Sequence, residues 1–187
     1  MQVEETKLPG VLQLVPKRFG DSRGFFSEVY NKSVYEKLGI AMEFVQDNHS
    51  LSREVGVVRG LHFQAPPHAQ DKLVRVGAGR VLDVAVDIRK GSPHFGQWVG
   101  VELSAEAGNQ LFIPAGFLHG FAVLEPNSEL LYKCSDIYAP DCDGAVRYDD
   151  PEIGIDWGFD AAQAILSEKD AGAPLLKDFD SPFVYEG

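Results

Sequence analysis

The sequence predicts an all-β protein, a sandwich or barrel of short antiparallel strands. Three observations carry this expectation. Nineteen glycines and 11 prolines fall between short apolar runs rather than within long ones. The runs recur at close spacing, several of them alternating with a period of two, and stretches with helical spacing are scarce. In chain order, the best helix is Ser33-Val34-Tyr35-Glu36-Lys37-Leu38-Gly39, with Ser33 as N-cap, Glu36 closing a capping box and Gly39 as the stop. Strands are expected at Lys72–Val76 and at Val81–Ile88, the clearest case. There Leu82, Val84, Val86 and Ile88 take one face while Asp83, Ala85 and Asp87 take the other. Further strands are expected at Trp98–Leu103, Gln110–Ile113, Gly120–Leu124 and Leu130–Cys134. The tail from Pro151 onward is mixed, with a short helix near Ala161 and a turn near Ser167. No repeat, low-complexity tract or linker interrupts the chain, so residues 1–187 read as one domain.

Composition narrows the function. With 44% hydrophobic residues the chain has material for a sizeable core. It contains no run of about 18 apolar residues, so no membrane-spanning helix is expected. The amino end, Met1-Gln2-Val3-Glu4-Glu5, lacks the basic flank and apolar stretch of a secretory signal, and a cytoplasmic location is expected. Cys134 and Cys142 read as reduced thiols rather than a disulfide framework. Seventeen Lys and Arg against 28 Asp and Glu give a net charge of −11, which repels nucleic acid and anionic membranes. A small anion is still admissible where a few basic residues converge.

The segment Gly108-Asn109-Gln110-Leu111-Phe112-Ile113-Pro114-Ala115-Gly116-Phe117-Leu118-His119 has the form G-x5-P-x-G-x2-H. It resembles the second motif of the cupin superfamily, in which Pro and Gly turn a hairpin and the His returns into the mouth of a jelly-roll β-barrel. Metal-binding cupins carry H-x-H and a Glu in their first motif. Here Gly60-Leu61-His62-Phe63-Gln64 has one His and no partner two residues on, and two scattered histidines fall short of a ligand set, so no metal is expected.

A longer resemblance is carried by Arg23-Gly24-Phe25-Phe26-Ser27-Glu28, Gln46-Asp47-Asn48-His49-Ser50, Val58-Arg59-Gly60-Leu61-His62-Phe63-Gln64, Asp71-Lys72-Leu73-Val74-Arg75-Val76 and Arg147-Tyr148-Asp149-Asp150-Pro151. Together with the cupin-like segment they follow the order and spacing of the dTDP-4-dehydrorhamnose 3,5-epimerase family, and the chain resembles it from about Gly20 to Leu176. The resemblance implies a cupin-type jelly roll with a few short peripheral helices, and epimerisation of a dTDP-4-keto-6-deoxyglucose substrate without cofactor. It also implies a homodimer that exchanges N-terminal strands.

That reaction has checkable demands. Hydrogens on C3 and C5 flank the C4 carbonyl, so removing either gives an enolate, and returning a proton on the opposite face inverts the centre. A base, an oxyanion stabiliser and an acid on the far side are needed. The resemblance makes His62 the base, a residue type whose pKa lies near neutrality, oriented by Asp170. It places Lys72 at the oxyanion and makes Tyr132 the proton donor. Arg23 and Arg59 would hold the diphosphate, where guanidinium groups suit phosphate. Glu28, Gln46, Asp47 and Asn48 would meet thymine and ribose, Phe19 or Phe26 would stack, and His119 and Lys169 would complete the shell. Asp143 stands where the family commonly has Glu. Phe63 and Tyr148 replace the usual Tyr and Trp, and Tyr138 keeps a position associated with completing both epimerisations.

Each residue also has a plainer reading. Tyr132 shares a strand face with Leu130 and Cys134 and could simply pack; Asp170 lies in a capping box begun by Ser167; Lys72 and Asp83 could form an ion pair on inward strand faces. Parity raises a further condition. Arg59 and His62, three apart, reach one pocket only if Gly60 carries a bulge or bend. A single-centre epimerase is the nearest rival, and a non-catalytic sugar-nucleotide cupin or a metal-dependent cupin oxygenase the next.

Overall fold

The computed structural model describes residues 1–186. Thirteen strands run β1 (Gln2–Glu5), β2 (Leu12–Val15), β3 (Arg18–Asp21), β4 (Gly24–Ser27), β5 (Gln46–Ser52), β6 (Val58–Gln64), β7 (Lys72–Ala78), β8 (Arg80–Asp87), β9 (Trp98–Ser104), β10 (Gln110–Ile113), β11 (Phe117–Val123), β12 (Ser128–Cys134) and β13 (Asp143–Ala145). Two short helices, α1 (Lys32–Glu36) and α2 (Glu168–Ala171), lie outside them. A six-stranded sheet has the order β1-β2-β10-β7-β12-β5, and a five-stranded sheet the order β13-β6-β11-β8-β9. Strands β3 and β4 form a separate hairpin. The expected all-β class holds, as a jelly roll of two facing antiparallel sheets.

The strand β8 expectation also holds, with an added layer. Val81 and Ala85 enter the core between the sheets, beside Val74, Leu111, Phe121 and Leu130. Leu82, Val84, Val86 and Ile88 pack outward, yet they are covered by the carboxy-terminal segment through Trp157, Leu176 and Phe183. Strand β11 is therefore buried along its whole length. On the other sheet, Leu14, Leu73 and Phe112 pack outward against Tyr35 and Ile40 around α1. Burying both faces of the central strands fixes the pocket walls from behind, at roughly 25 cal/mol for each Å² of apolar surface removed from water.

The local expectations are partly corrected. Asn31, not Ser33, caps α1: its backbone is extended and its side chain accepts from the Ser33 N–H. Ser33 therefore sits inside the first turn and no capping box with Glu36 forms, because an amide oxygen two residues earlier already satisfies the exposed donor. Gly39 does stop the helix. At φ +85° it allows Ile40 N–H to donate to Tyr35 O and its own N–H to Glu36 O, a Schellman closure. The segment near Ala161 is a single 3-10 turn, Ala161–Gln163, capped by Asp160. Ser167 is the N-cap of α2, accepting from Asp170 N–H.

The bulge required by parity is present. His119 of β11 pairs with His62 of β6 and Phe121 with Arg59, so two steps on β11 span three on β6. Gly60 absorbs the extra residue at φ +128°, and a Cβ there would lie 2.6 Å from Gly120 Cα and 2.9 Å from His119 O. Gly60→Ala is accordingly expected to lose about 3 kcal/mol, since neither the backbone angle nor the space can accept it. Differential scanning calorimetry should then show a melting point lower by roughly 6–12 °C. A change under 2 °C would mean that the bulge is not the constraint on this strand.

Candidate active site

Between the sheets lies a cavity of about 490 Å³, joined to a second of about 340 Å³ by shared walls at His62, Lys72, Tyr132 and Lys169. The bulge at Gly60 lets both Arg59 and His62 line the first cavity. His62 projects from β6 toward α2, where its Nε2 lies 2.6 Å from Asp170 Oδ1. Burial pushes the Asp170 carboxyl pKa up, but the hydrogen bond and charge of His62, the Ser167 hydroxyl and the Gly60 amide outweigh it. The carboxyl is held below its ordinary range, and the cap formed by Ser167 fixes where it sits. The Asp170 N–H is thus capped by Ser167 while its carboxylate faces His62.

A second His–carboxylate pair stands beside the first. His119, directly across from His62, has its Nε2 3.0 Å from both Asp83 oxygens. Burial lowers the His119 pKa, Asp83 opposes this, and Lys72 and His62 add to the lowering. Because the Asp170 carboxyl is held ionised and an ionised carboxylate only accepts, the His62 Nε2 donates to it and Nδ1 is the nitrogen turned to the rest of the ring's surroundings.

Lys72 begins β7 between Ile113 and Cys134 of the flanking strands. The Lys72–Asp83 ion pair of the plainer reading is not formed; among the described residues Asp83 bonds to His119, the nearer donor across β8 and β11. Burial lowers the Lys72 pKa, partly offset by Cys134, Asp83 and Asp143 and reinforced by Lys169. Tyr132 packs against the inter-sheet core and stands edge-on to His119, ring centroids 6.4 Å apart. Burial raises its phenol pKa, with Cys134 adding and Arg59 opposing.

Gln46 and Asn48 line the second cavity and are hydrogen-bonded to each other, Gln46 Nε2 to Asn48 Oδ1 at 3.1 Å. Gln46 Oε1 accepts from Tyr138 N–H at 2.8 Å, and Tyr138 O–H donates to Asp143 at 3.4 Å. Asp143 is ion-paired with Lys169, whose pKa is raised by that contact. Three expected polar residues are not brought to either cavity, and neither are Phe19 and Phe26, which stay exposed on the β3–β4 hairpin. The Asp47 side chain turns to the opposite face of β5 and pairs with Lys133 at 3.0 Å, as strand alternation requires. Arg23 sits on the β3–β4 hairpin, bound to Asp21 at 2.6 Å and 88% exposed in its side chain. Glu28 follows the same hairpin at the surface.

Residues outside the expected set also shape the site. Asp83, fully buried behind His119, had a readable signal, a charge on the inward face of an apolar strand. Ile165, Leu166 and Ser167 close one side of the first cavity, held by the parallel bridge from Ile165 to Val57; an irregular tail carries no periodicity that would announce them. Among the described residues no group of three or more His, Cys, Asp or Glu is disposed to hold a metal ion.

The fold and the pocket together are those of a jelly-roll protein with two His–Asp pairs, a lysine and a tyrosine gathered at one cavity. The sequence model of the dTDP-4-dehydrorhamnose 3,5-epimerase family matches residues 5–178. The chain is 55% identical over 177 residues to the enzyme of that description from Salmonella typhimurium, covering 94% of this chain and 96% of the relative. Its fold is similar to the dTDP-6-deoxy-D-glucose-3,5-epimerase of Legionella pneumophila in complex with dTDP-4-keto-L-rhamnose: TM-score 0.95, 48% identity, 100% of this chain and 99% of that one. A 3'-monoepimerase from Streptomyces bikiniensis in complex with dTDP-quinovose is more distant, at TM-score 0.86 and 32% identity over 92% and 86% of the two chains. The chain belongs to the dTDP-4-dehydrorhamnose 3,5-epimerase family.

Proposed function

We infer that the chain epimerises dTDP-4-dehydro-6-deoxy-D-glucose at C3 and C5 to dTDP-4-dehydro-L-rhamnose, without cofactor, as a step of dTDP-L-rhamnose synthesis. The observation that carries this reading in a member of the family is the His62–Asp170 pair, 2.6 Å apart, opening on a cavity shared with Lys72 and Tyr132. His62 takes the proton from the carbon next to the carbonyl, and Asp170 stabilises the imidazolium that results. Negative charge then gathers on the C4 oxygen, which the Lys72 ammonium meets in a site of low dielectric. Tyr132 returns a proton to the far face. Arg59 holds the diphosphate; Gln46 and Asn48, with Tyr138, Asp143 and Lys169 at the rim, hold the nucleoside end.

Arg23 and Glu28 belong to this account through a second subunit. The hairpin that carries Arg23 stands apart from both sheets and exposes Phe19, Phe25 and Phe26. Such an apolar projection on a chain of net charge −11 supports a homodimer in which N-terminal strands are exchanged and each hairpin completes the neighbour's site. A cytoplasmic location is part of this reading. Among the described residues no helix is long and apolar enough to cross a membrane.

The deciding experiment incubates the protein with the 4-keto sugar nucleotide in D2O and follows it by NMR. Deuterium is expected at both C3 and C5, with L-rhamno product. Deuterium at C3 alone would replace this reading with the single-centre epimerase, and none at either carbon would remove the enzyme assignment.

A further inference from the structure

On the cavity side of β5 stand Gln46, Asn48, Ser50 and Ser52, alternating with outward residues. Three of the four are occupied. Gln46 bonds to Asn48; Asn48 Nδ2 also reaches Cys134 Sγ at 3.5 Å; Ser52 Oγ accepts from Arg59 Nε at 3.2 Å. Ser50 differs: its hydroxyl is buried and has no hydrogen-bond partner among the described residues, although the residue lines the larger cavity. A buried hydroxyl left without a partner calls for an explanation, because folding gains nothing from it.

Arg59 indicates what the partner is. Its guanidinium is anchored along β5 by Ser52 Oγ and by Leu51 O, the latter at 3.3 Å, the residues that immediately follow Ser50. One staggered rotation about the Ser50 Cα–Cβ bond re-aims the oxygen without moving the strand. We propose that Ser50 is a substrate-contacting residue whose hydroxyl donates to a phosphoryl oxygen of the nucleoside diphosphate beside Arg59. The proposal rests on the reading of Arg59 as a diphosphate ligand. A neutral donor on an anionic acceptor makes a stronger bond than two neutral groups would, and it adds no charge to the pocket.

The test compares dTDP and thymidine binding by calorimetry in the wild type, Ser50→Ala and Arg59→Ala, with thermal melts of the unliganded proteins. Ser50→Ala is expected to weaken dTDP about tenfold, leave thymidine within about twofold, and hold or raise the unliganded melting point, since it deletes an unpaired buried hydroxyl. An unchanged dTDP affinity in Ser50→Ala, alongside a loss in Arg59→Ala, overturns the Ser50 assignment alone. Equal losses for dTDP and thymidine, or a melting point lower by several degrees, also overturn it in favour of a structural role. Unchanged dTDP binding in Arg59→Ala instead overturns the diphosphate reading on which it stands.

Discussion

His62→Ala is expected to abolish solvent exchange at C3 and C5 while dTDP still binds. General-base catalysis contributes about 10²- to 10⁴-fold, roughly 3 to 5 kcal/mol of barrier, so the exchange rate should fall by that factor. The imidazole is the group whose loss removes the proton acceptor; Asp170 then loses the contact that holds its pKa down against burial, and its carboxyl stands displaced from the carbon by the length of the missing ring. The alanine variant also leaves that carboxylate, 3% exposed, without its ring partner, and a fold defect could imitate a chemical one. His62→Asn controls for this because its amide N–H can still donate toward Asp170. Both variants should therefore lose exchange, with the asparagine variant melting closer to wild type. Exchange near the wild-type rate in the asparagine variant, measured by NMR in D2O, would transfer the base role to another group, His119 being the first to test.

Where the structure adds to the sequence, the reason is physical in each case. Strand β8 was legible because its apolar face alternates cleanly, and β12 because Leu130 and Cys134 repeat on one face. Strand β5 has equally strict alternation, yet it escaped the hydrophobic pattern because its inward row is Gln46, Asn48, Ser50 and Ser52, polar residues turned to a cavity rather than to a core. A strand whose inward row is polar is thus one that hydrophobicity cannot find. The same cause hid Ser50, which lies in the family's motif but to which the resemblance assigned no role, whereas it assigned one to Gln46 and Asn48. Arg59 and His62 were readable as a conflict of parity, and the bulge at Gly60 is its resolution. Strand pairing across long stretches of sequence is a different matter. That Asp83 answers His119 rather than Lys72 depends on the β8–β11 register, which no local pattern encodes.

Tyr132→Phe separates a two-sided mechanism from one in which His62 serves both faces. The variant keeps the ring that packs on the inter-sheet core and stands edge-on to His119, and it deletes the hydroxyl alone. Loss of that hydroxyl should change stability by only about 1 kcal/mol. Deuterium should still wash into the sugar, because the enolate forms on the His62 side and can be reprotonated there. Inverted product should fall by about 10²-fold or more, the usual contribution of a positioned acid. Burial raises the Tyr132 pKa, which keeps the phenol protonated through the neutral range, and an enolate carbon is a strong enough base to take its proton. If His62 reached both faces, exchange and inversion would stay coupled and the substitution would leave inversion almost untouched, the same result that a packing role for Tyr132 forecasts. Measuring exchange by NMR and inverted product by chromatography in the same samples resolves the two: an exchange-to-inversion ratio equal to that of the wild type removes Tyr132 from the proton path.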